Sequence, residues 1–296
     1  MSDNLRNLKG YLGEVLMDLL YDILEKLLPF SWAEYNFMKN ALLAVIIITP
    51  LFGILGTMVI NNRMAFFSDS LGHSALTGIA VGTIFGIKDT NISMVLYAVI
   101  FALLLNFIKR RKTMSTDTVI SVFASFSMAI GLMILSRGGN FSRYSSLLVG
   151  DILSISSGEI GLLFIIFIFA MIYWFLSFNK LHSVGVNVSL AKSKNIRSNL
   201  LEDSFSILIA VIVMLSIKWI GILIVNALLT LPAAASRNIA SNMREYHLFS
   251  VIIAVFSGIT GLVLSYYLGT ATGPTVVIIA AIIFFITLFM SPAKNK

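Results

Sequence analysis

The sequence predicts an all-α, polytopic integral membrane protein: a helical bundle of about nine (eight to nine) transmembrane helices, preceded by an interfacial amphipathic helix. Three observations predict it. The 296 residues are 58% hydrophobic and only 12% charged, against about 25% charged in soluble domains. The apolar residues gather into uncharged runs close to the roughly 20 residues needed to cross a bilayer. The basic residues stand between those runs, where Lys and Arg set orientation. The formal charge of +7 is therefore a topology signal, and no nucleic-acid partner is expected. The densest cluster, Lys109, Arg110, Arg111 and Lys112, fits a cytoplasmic loop. With no Cys, disulfides, thiolate zinc sites and Cys nucleophiles are excluded, so any metal is held by His, carboxylate or neutral oxygen.

The elements follow in order. Residues 1–36 form the first unit: over 10–30, Leu12, Leu16, Leu19, Ile23 and Leu27 recur at helical spacing with charged residues between them. That pattern predicts a helix lying on the membrane, and it lacks the basic start and uncharged core of a signal peptide. Trp32, Tyr35 and Phe37 mark the interface before the second unit, a membrane domain over 37–296. Spans are expected at 41–60, 70–87, 90–108, 118–136 and 160–179. The stretch 248–293 is uncharged and too long for one crossing, and the Gly and Pro of 269–274 divide it into two. The stretch 204–236 is interrupted only by Lys218 and has basic residues on both flanks: Lys192, Lys194 and Arg197 before, Arg237 and Arg244 after. With both flanks in the cytoplasm the chain crosses and returns, turning near Lys218, Trp219 and Gly221, for nine crossings. One long tilted helix would give eight and leave a basic flank outside. The nine-span arrangement places the C-terminus inside and the N-terminal helix outside.

The second span carries more than hydropathy. Ser70, Ser74, Gly78, Gly82 and Gly86 recur every four residues, a small-residue face that lets another backbone approach closely. Asp69, His73 and Thr77 form the neighbouring stripe. Ionisable groups inside a membrane are costly and commonly mark ion or substrate paths. An i, i+4 carboxylate and imidazole can offer one oxygen and one nitrogen to a divalent ion, held loosely enough to pass. The alternative is that Asp69 caps the helix and His73 satisfies a buried carbonyl. Asp151 and Glu159, between the fourth and fifth spans, read as loop and capping acids, with Asp151 a further candidate ligand. Asp117 reads as the cap of its span, and His182 and His247, beside basic stretches, as surface residues. No GxxxxGK[ST] loop and no HExxH occurs, so the chain is neither its own P-loop ATPase nor a zincin. No Asp pair or GxS setting suits an intramembrane protease.

Six stretches, in order, resemble the signature of one family. Arg63 and Met64 followed by FFSDSLGHSALTGIAVG, then STDTVISVFASFSMAIG, YSSLLVGDIL, VGVNVSLAKSKNI, IKWIGILIVNALLTLPAAASRNIA and SYYLGTATGPTVV together resemble the metal-ion (zinc or manganese) permeases of ABC importers, the ABC-3 type transmembrane subunit. The resemblance covers about residues 37 to 290.

It implies a transport subunit of the cell membrane without ATPase activity, partnered by two copies of an ABC ATPase, an extracytoplasmic metal-binding protein and a second permease copy. No cofactor is held permanently; zinc or manganese is the cargo. Asp69 and His73 match the family's translocation-path positions. The segment 184–196 matches its cytoplasmic coupling helix that docks the ATPase, with Asn187, Ala191 and Asn195 at the D-x-x-x-A-x-x-x-G positions and Val184 and Leu190 as further coupling residues. The chain departs from the family pattern at Asn187 for Asp, Asn195 for Gly, Thr116 for Glu and Gly269 for Asp, the last removing a possible third ligand. A permease for a metal chelate, and a proton-coupled transporter using Asp69 and His73, are the competing expectations.

Overall fold

The computed structural model describes residues 21, 22, 25, 26, 31–111, 115–137, 147 and 150–290, and every regular element among them is helical. Most of the predicted N-terminal amphipathic helix, Lys112 and much of the YSSLLVGDIL stretch lie outside the described residues. After a 3-10 turn at Ser31–Glu34 come α1 (Asn36–Asn61), α2 (Ala65–Ile84), α3 (Thr90–Lys109) and α4 (Thr116–Arg137). A second 3-10 turn, Ile152–Ser154, leads to α5 (Ser157–Val186), the short α6 (Val188–Ser193), α7 (Ser198–Ile220), α8 (Ile222–Ile239), α9 (Met243–Leu268) and α10 (Thr272–Met290).

Eight of these are long and apolar enough to cross a membrane: α1, α3, α4, α5, α7, α8, α9 and α10. The predicted second span, α2, has 20 residues but is less apolar because it carries Asp69 and His73 among its small polar residues. With it, the helices match the predicted nine. The doubtful stretch divides as expected. A single residue, Gly221, separates α7 from α8, and its φ of 87° is one that side chains resist, so glycine is what permits so abrupt a reversal. Lys218, which interrupts the apolar run, pairs with Glu159 of α5 at 2.6 Å. Glu159 also accepts from the Ser156 backbone at 2.9 Å in a capping box that starts α5.

The core is centred on α1, which packs on α9, α8 and α5, while α2 packs on α4 and α3 and touches α7 and α8. Small residues set these approaches. Ser250 of α9 donates its hydroxyl to the Gly53 carbonyl at 2.7 Å, and a Cβ placed on Gly53 would lie 3.0 Å from the Val251 Cα. On α2, Ser70, Ser74, Gly78 and Gly82 are buried, as the predicted stripe requires, and Ser93 of α3 donates to the Gly78 carbonyl. Gly86 belongs instead to the turn after α2, where its φ is 69°. Buried hydroxyls on these helices bond carbonyls of their own preceding turn, as with Ser70 to Phe67 and Ser74 to Leu71, both 2.7 Å, so few polar groups face lipid unpaired.

Two sequence expectations change. The α4 start is capped by Ser115, whose Oγ accepts the Thr118 N–H at 3.2 Å, while Asp117 stands in the first turn, where its charge favours the helix dipole. His182 and His247 are not surface residues: both rings pack with Phe178 at centroid distances of 6.3 and 5.4 Å, and His182 Nδ1 and His247 Nε2 are buried. The 30 residues of α5 explain it, since the helix runs on past the span and carries His182 into contact with the cluster on α9. Gly269, by contrast, divides the last apolar stretch as expected: it ends α9 in the left-handed region, φ 62°, with the Thr270 N–H bonding the Ser265 carbonyl at 3.1 Å.

Candidate functional site

Asp69 and His73 share one face of α2, with His73 Nε2 at 3.8 Å from Asp69 Oδ2. Neither serves the ordinary structural purposes. The helix begins at Ala65, so Asp69 stands in its second turn and caps nothing. His73 Nδ1 is buried with no hydrogen-bond partner. The side chains are 54% and 38% exposed respectively, so the pair borders open space rather than the packed core.

A third polar group arrives from α8. Asn226 donates its amide Nδ2 to Asp69 Oδ1 at 2.9 Å, while its own Oδ1 is buried and unpartnered. Gly72, one residue before His73, makes the approach possible: a Cβ there would lie 2.8 Å from Ile222 Cγ2 and 2.9 Å from Asn226 Nδ2. The Gly221 turn starts α8 at the position from which Ile222 and Asn226 reach α2. Asn226 is the functional candidate that sequence reasoning did not single out. Its signal was present as a lone amide in the apolar run ILIVNALL, and intramembrane polar residues are retained at a cost.

A carboxylate oxygen and an imidazole nitrogen beside an amide could offer donors to a divalent cation without the thiolates that would lock it. Among the described residues no group of three His, Cys, Asp or Glu gathers. Asp151 does not join it. Its carboxylate accepts the Leu153 N–H at 3.2 Å and caps the second 3-10 turn. The preceding Gly150, φ 72°, lies directly on the α7–α8 turn: a Cβ on it would be 2.2 Å from the Gly221 nitrogen. The carboxylate position lost at Gly269 lies on the turn between α9 and α10, and the polar partner beside Asp69 comes from α8 instead.

The predicted coupling segment is α6 with its two boundaries. Asn187 ends α5 and starts α6: its Oδ1 accepts the Ser189 N–H at 2.8 Å, the bond of an N-cap. Asn195, φ 55°, closes α6 in the left-handed region, with the Ile196 N–H returning to the Ala191 carbonyl at 3.1 Å. Each Asn thus fits the backbone position it occupies. Asn caps as well as Asp, and Asn is the residue after Gly best suited to the left-handed cap. Val184 and Ala191 are buried and hold the segment to the bundle. Of Leu190 only the helical backbone is described. Asn187→Asp is expected to leave thermal stability unchanged, whereas Asn187→Ala should cost about 1 kcal/mol at the cap, read as a lower Tm of the purified protein.

A model of the ABC 3 transport family matches residues 34–291. The high-affinity zinc uptake system membrane protein ZnuB of Haemophilus influenzae is 33% identical over 259 residues, 86% of this chain and 98% of that one. The manganese import system permease protein ScaB of Streptococcus parasanguinis is 24% identical over 263 residues, 89% of this chain and 94% of that one. Among solved structures, PsaBC from Streptococcus pneumoniae in complex with Fab matches with a TM-score of 0.77 at 22% identity, over 88% of this chain and 94% of that one, which shows the same fold. With the eight apolar helices, these likenesses make it a multi-pass membrane protein. The chain belongs to the ABC 3 transport family.

Proposed function

We propose that the chain is the permease subunit of an ATP-driven importer of a divalent metal ion, zinc or manganese. It works as one of a pair of identical subunits, with two copies of a separate ATPase and an extracytoplasmic binding protein that delivers the ion. The observation that carries this reading is the cluster of Asp69, His73 and Asn226: a carboxylate, an imidazole and an amide brought together where two membrane helices meet. The zinc and manganese systems named for ZnuB and ScaB support the same cargo class. A bare ion suits donors this compact better than a chelate does. Hydrolysis of ATP belongs to the partner, since the chain has no phosphate loop. Closure of the ATPase pair would push on α6 and, through its caps at Asn187 and Asn195, on α5 and α7.

The test is accumulation of zinc and manganese in cells that lack their own importers and express the chain with its ATPase and binding protein. Accumulation that depends on ATPase activity supports the reading, and none for either ion, with the complex assembled, overturns it. In the same assay Asn226→Ala is expected to lower uptake about tenfold, the loss of one hydrogen bond to a charged group and one oxygen donor. Asn226→Leu should do the same. Wild-type uptake by both would remove Asn226 from the path.

A further inference from the structure

A cavity of about 560 Å³ opens between the cytoplasmic ends of α5 and α7, apart from the site above. Three exposed cations surround it: Lys180 near the end of α5, and Lys194 and Arg197 on the turn between α6 and α7. The left-handed turn at Asn195 sends the chain back so that the latter two face the same space as Lys180. Among the described residues the ion pairs are Lys39 with Glu25, His73 with Asp69, Arg110 with Asp203 and Lys218 with Glu159, so these three cations have no acidic partner. The rest of the lining is mostly apolar, with Ile196, Leu200 and Leu201.

The depth of the cavity identifies what it fits. Ser204, which lines it, shares a hydrogen bond of 2.8 Å with the Tyr173 hydroxyl on α5. Tyr173 lies inside the uncharged run 160–179 of α5 and Lys180 follows directly after it, so the two bracket the end of the apolar span. One end of the cavity is therefore level with acyl chains and the other with headgroups. Leu176, one turn before Lys180 on the same face of α5 and just beyond the cavity lining, is 72% exposed, and Leu200 is 59% exposed. Unpaired cations above an apolar wall at this boundary match a lipid with an anionic head. An acidic segment of a soluble subunit would meet the cations but leave the leucine wall uncovered.

We propose that this cavity binds an anionic phospholipid of the cytoplasmic leaflet, its phosphate among Lys180, Lys194 and Arg197 and an acyl chain along Leu176, Leu200 and Leu201. Because Lys194 and Arg197 end the α6 segment, the bound lipid ties that segment to α5. The binding stands on the geometry alone; an effect on transport would rest on the permease reading as well, so the test reads binding.

The experiment uses the whole transporter in bilayer discs with photoreactive phosphatidylglycerol or photoreactive phosphatidylcholine, and maps labelled peptides. Phosphatidylglycerol is expected to label peptides covering 176–204 in preference to phosphatidylcholine. The double variant Lys180→Gln, Arg197→Gln should weaken that labelling roughly thirtyfold, about fivefold for each cation. Lys180→Arg should keep it, which separates lost charge from a damaged fold. Equal labelling by the two lipids, or labelling untouched by the double variant, overturns the proposal. Competition by millimolar inorganic phosphate would reveal a free-anion site instead, and labelling abolished by the bound ATPase would reveal a protein contact; either result also overturns it.

Discussion

Replacing Asp69 by Asn or His73 by Ala is expected to cut metal accumulation by about a hundredfold or more while the protein still assembles with its ATPase. The scale follows from ligation: loss of a residue that only orients a ligand costs about 10- to 100-fold, and loss of the ligand itself costs at least as much. The fold should tolerate both changes. The Asp69 and His73 side chains are 54% and 38% exposed and separated by 3.8 Å, too open and too far apart for the pair to hold the bundle together. Asp69→Asn is the sharper of the two. An asparagine there still accepts the Asn226 amide through its carbonyl, so the 2.9 Å contact between α2 and α8 survives and only the negative charge is removed. If Asp69→Asn and His73→Ala both accumulate metal at the wild-type rate, with ATPase bound, the ion does not pass this face of α2.

The same contact shows where sequence reasoning reached and where it stopped. The span pattern, the return within 204–236 and the small-residue face of α2 were legible because each is written in neighbouring residues: run length, Gly221, and a spacing of four. Asp69 and His73 were legible because a charge in an apolar run is conspicuous. Asn226 was not, since its meaning depends on meeting a residue 157 positions away, a meeting fixed by Gly72 and the Gly221 turn together. Lys218 is a similar case. It reads as a topology signal in the sequence, yet its partner Glu159 lies 59 residues earlier at the start of α5. His182 and His247 misled for a different reason: basic neighbours suggested solvent, but the length of α5 keeps both rings against Phe178. Departures from a family motif were informative only once φ angles were known, since Asn195 and Gly share a backbone conformation rather than a side-chain chemistry.

Gly56→Val is expected to prevent the folded protein from accumulating at all. A Cβ on Gly56 would stand 2.2 Å from the carbonyl oxygen of Leu229 and 3.0 Å from its carbonyl carbon. Both are backbone atoms inside α8, so no side chain can rotate away, and the helices must separate by about 1 Å to restore a normal contact. Overpacking of this kind costs about 1–3 kcal/mol where side chains can yield, and more where they cannot. Valine adds two further methyl groups at the tightest point of the α1–α8 seam, and the better helix propensity of a non-glycine residue returns at most about 1 kcal/mol. The damage also reaches the polar cluster. Leu229 lies one turn beyond Asn226, so any outward shift of α8 draws the amide from Asp69 even in the milder Gly56→Ala, which should express yet transport poorly. Gly161→Ala supplies the contrast, because a Cβ there meets nothing within 4 Å and the helix gains propensity. Detergent-extracted protein measured by size-exclusion chromatography should then rank Gly161→Ala with the wild type, Gly56→Ala below it and Gly56→Val near zero. A Gly56→Val protein with wild-type yield and uptake would mean that α1 and α8 do not touch at this seam, and the route by which α8 brings Asn226 to Asp69 would have to be abandoned with it.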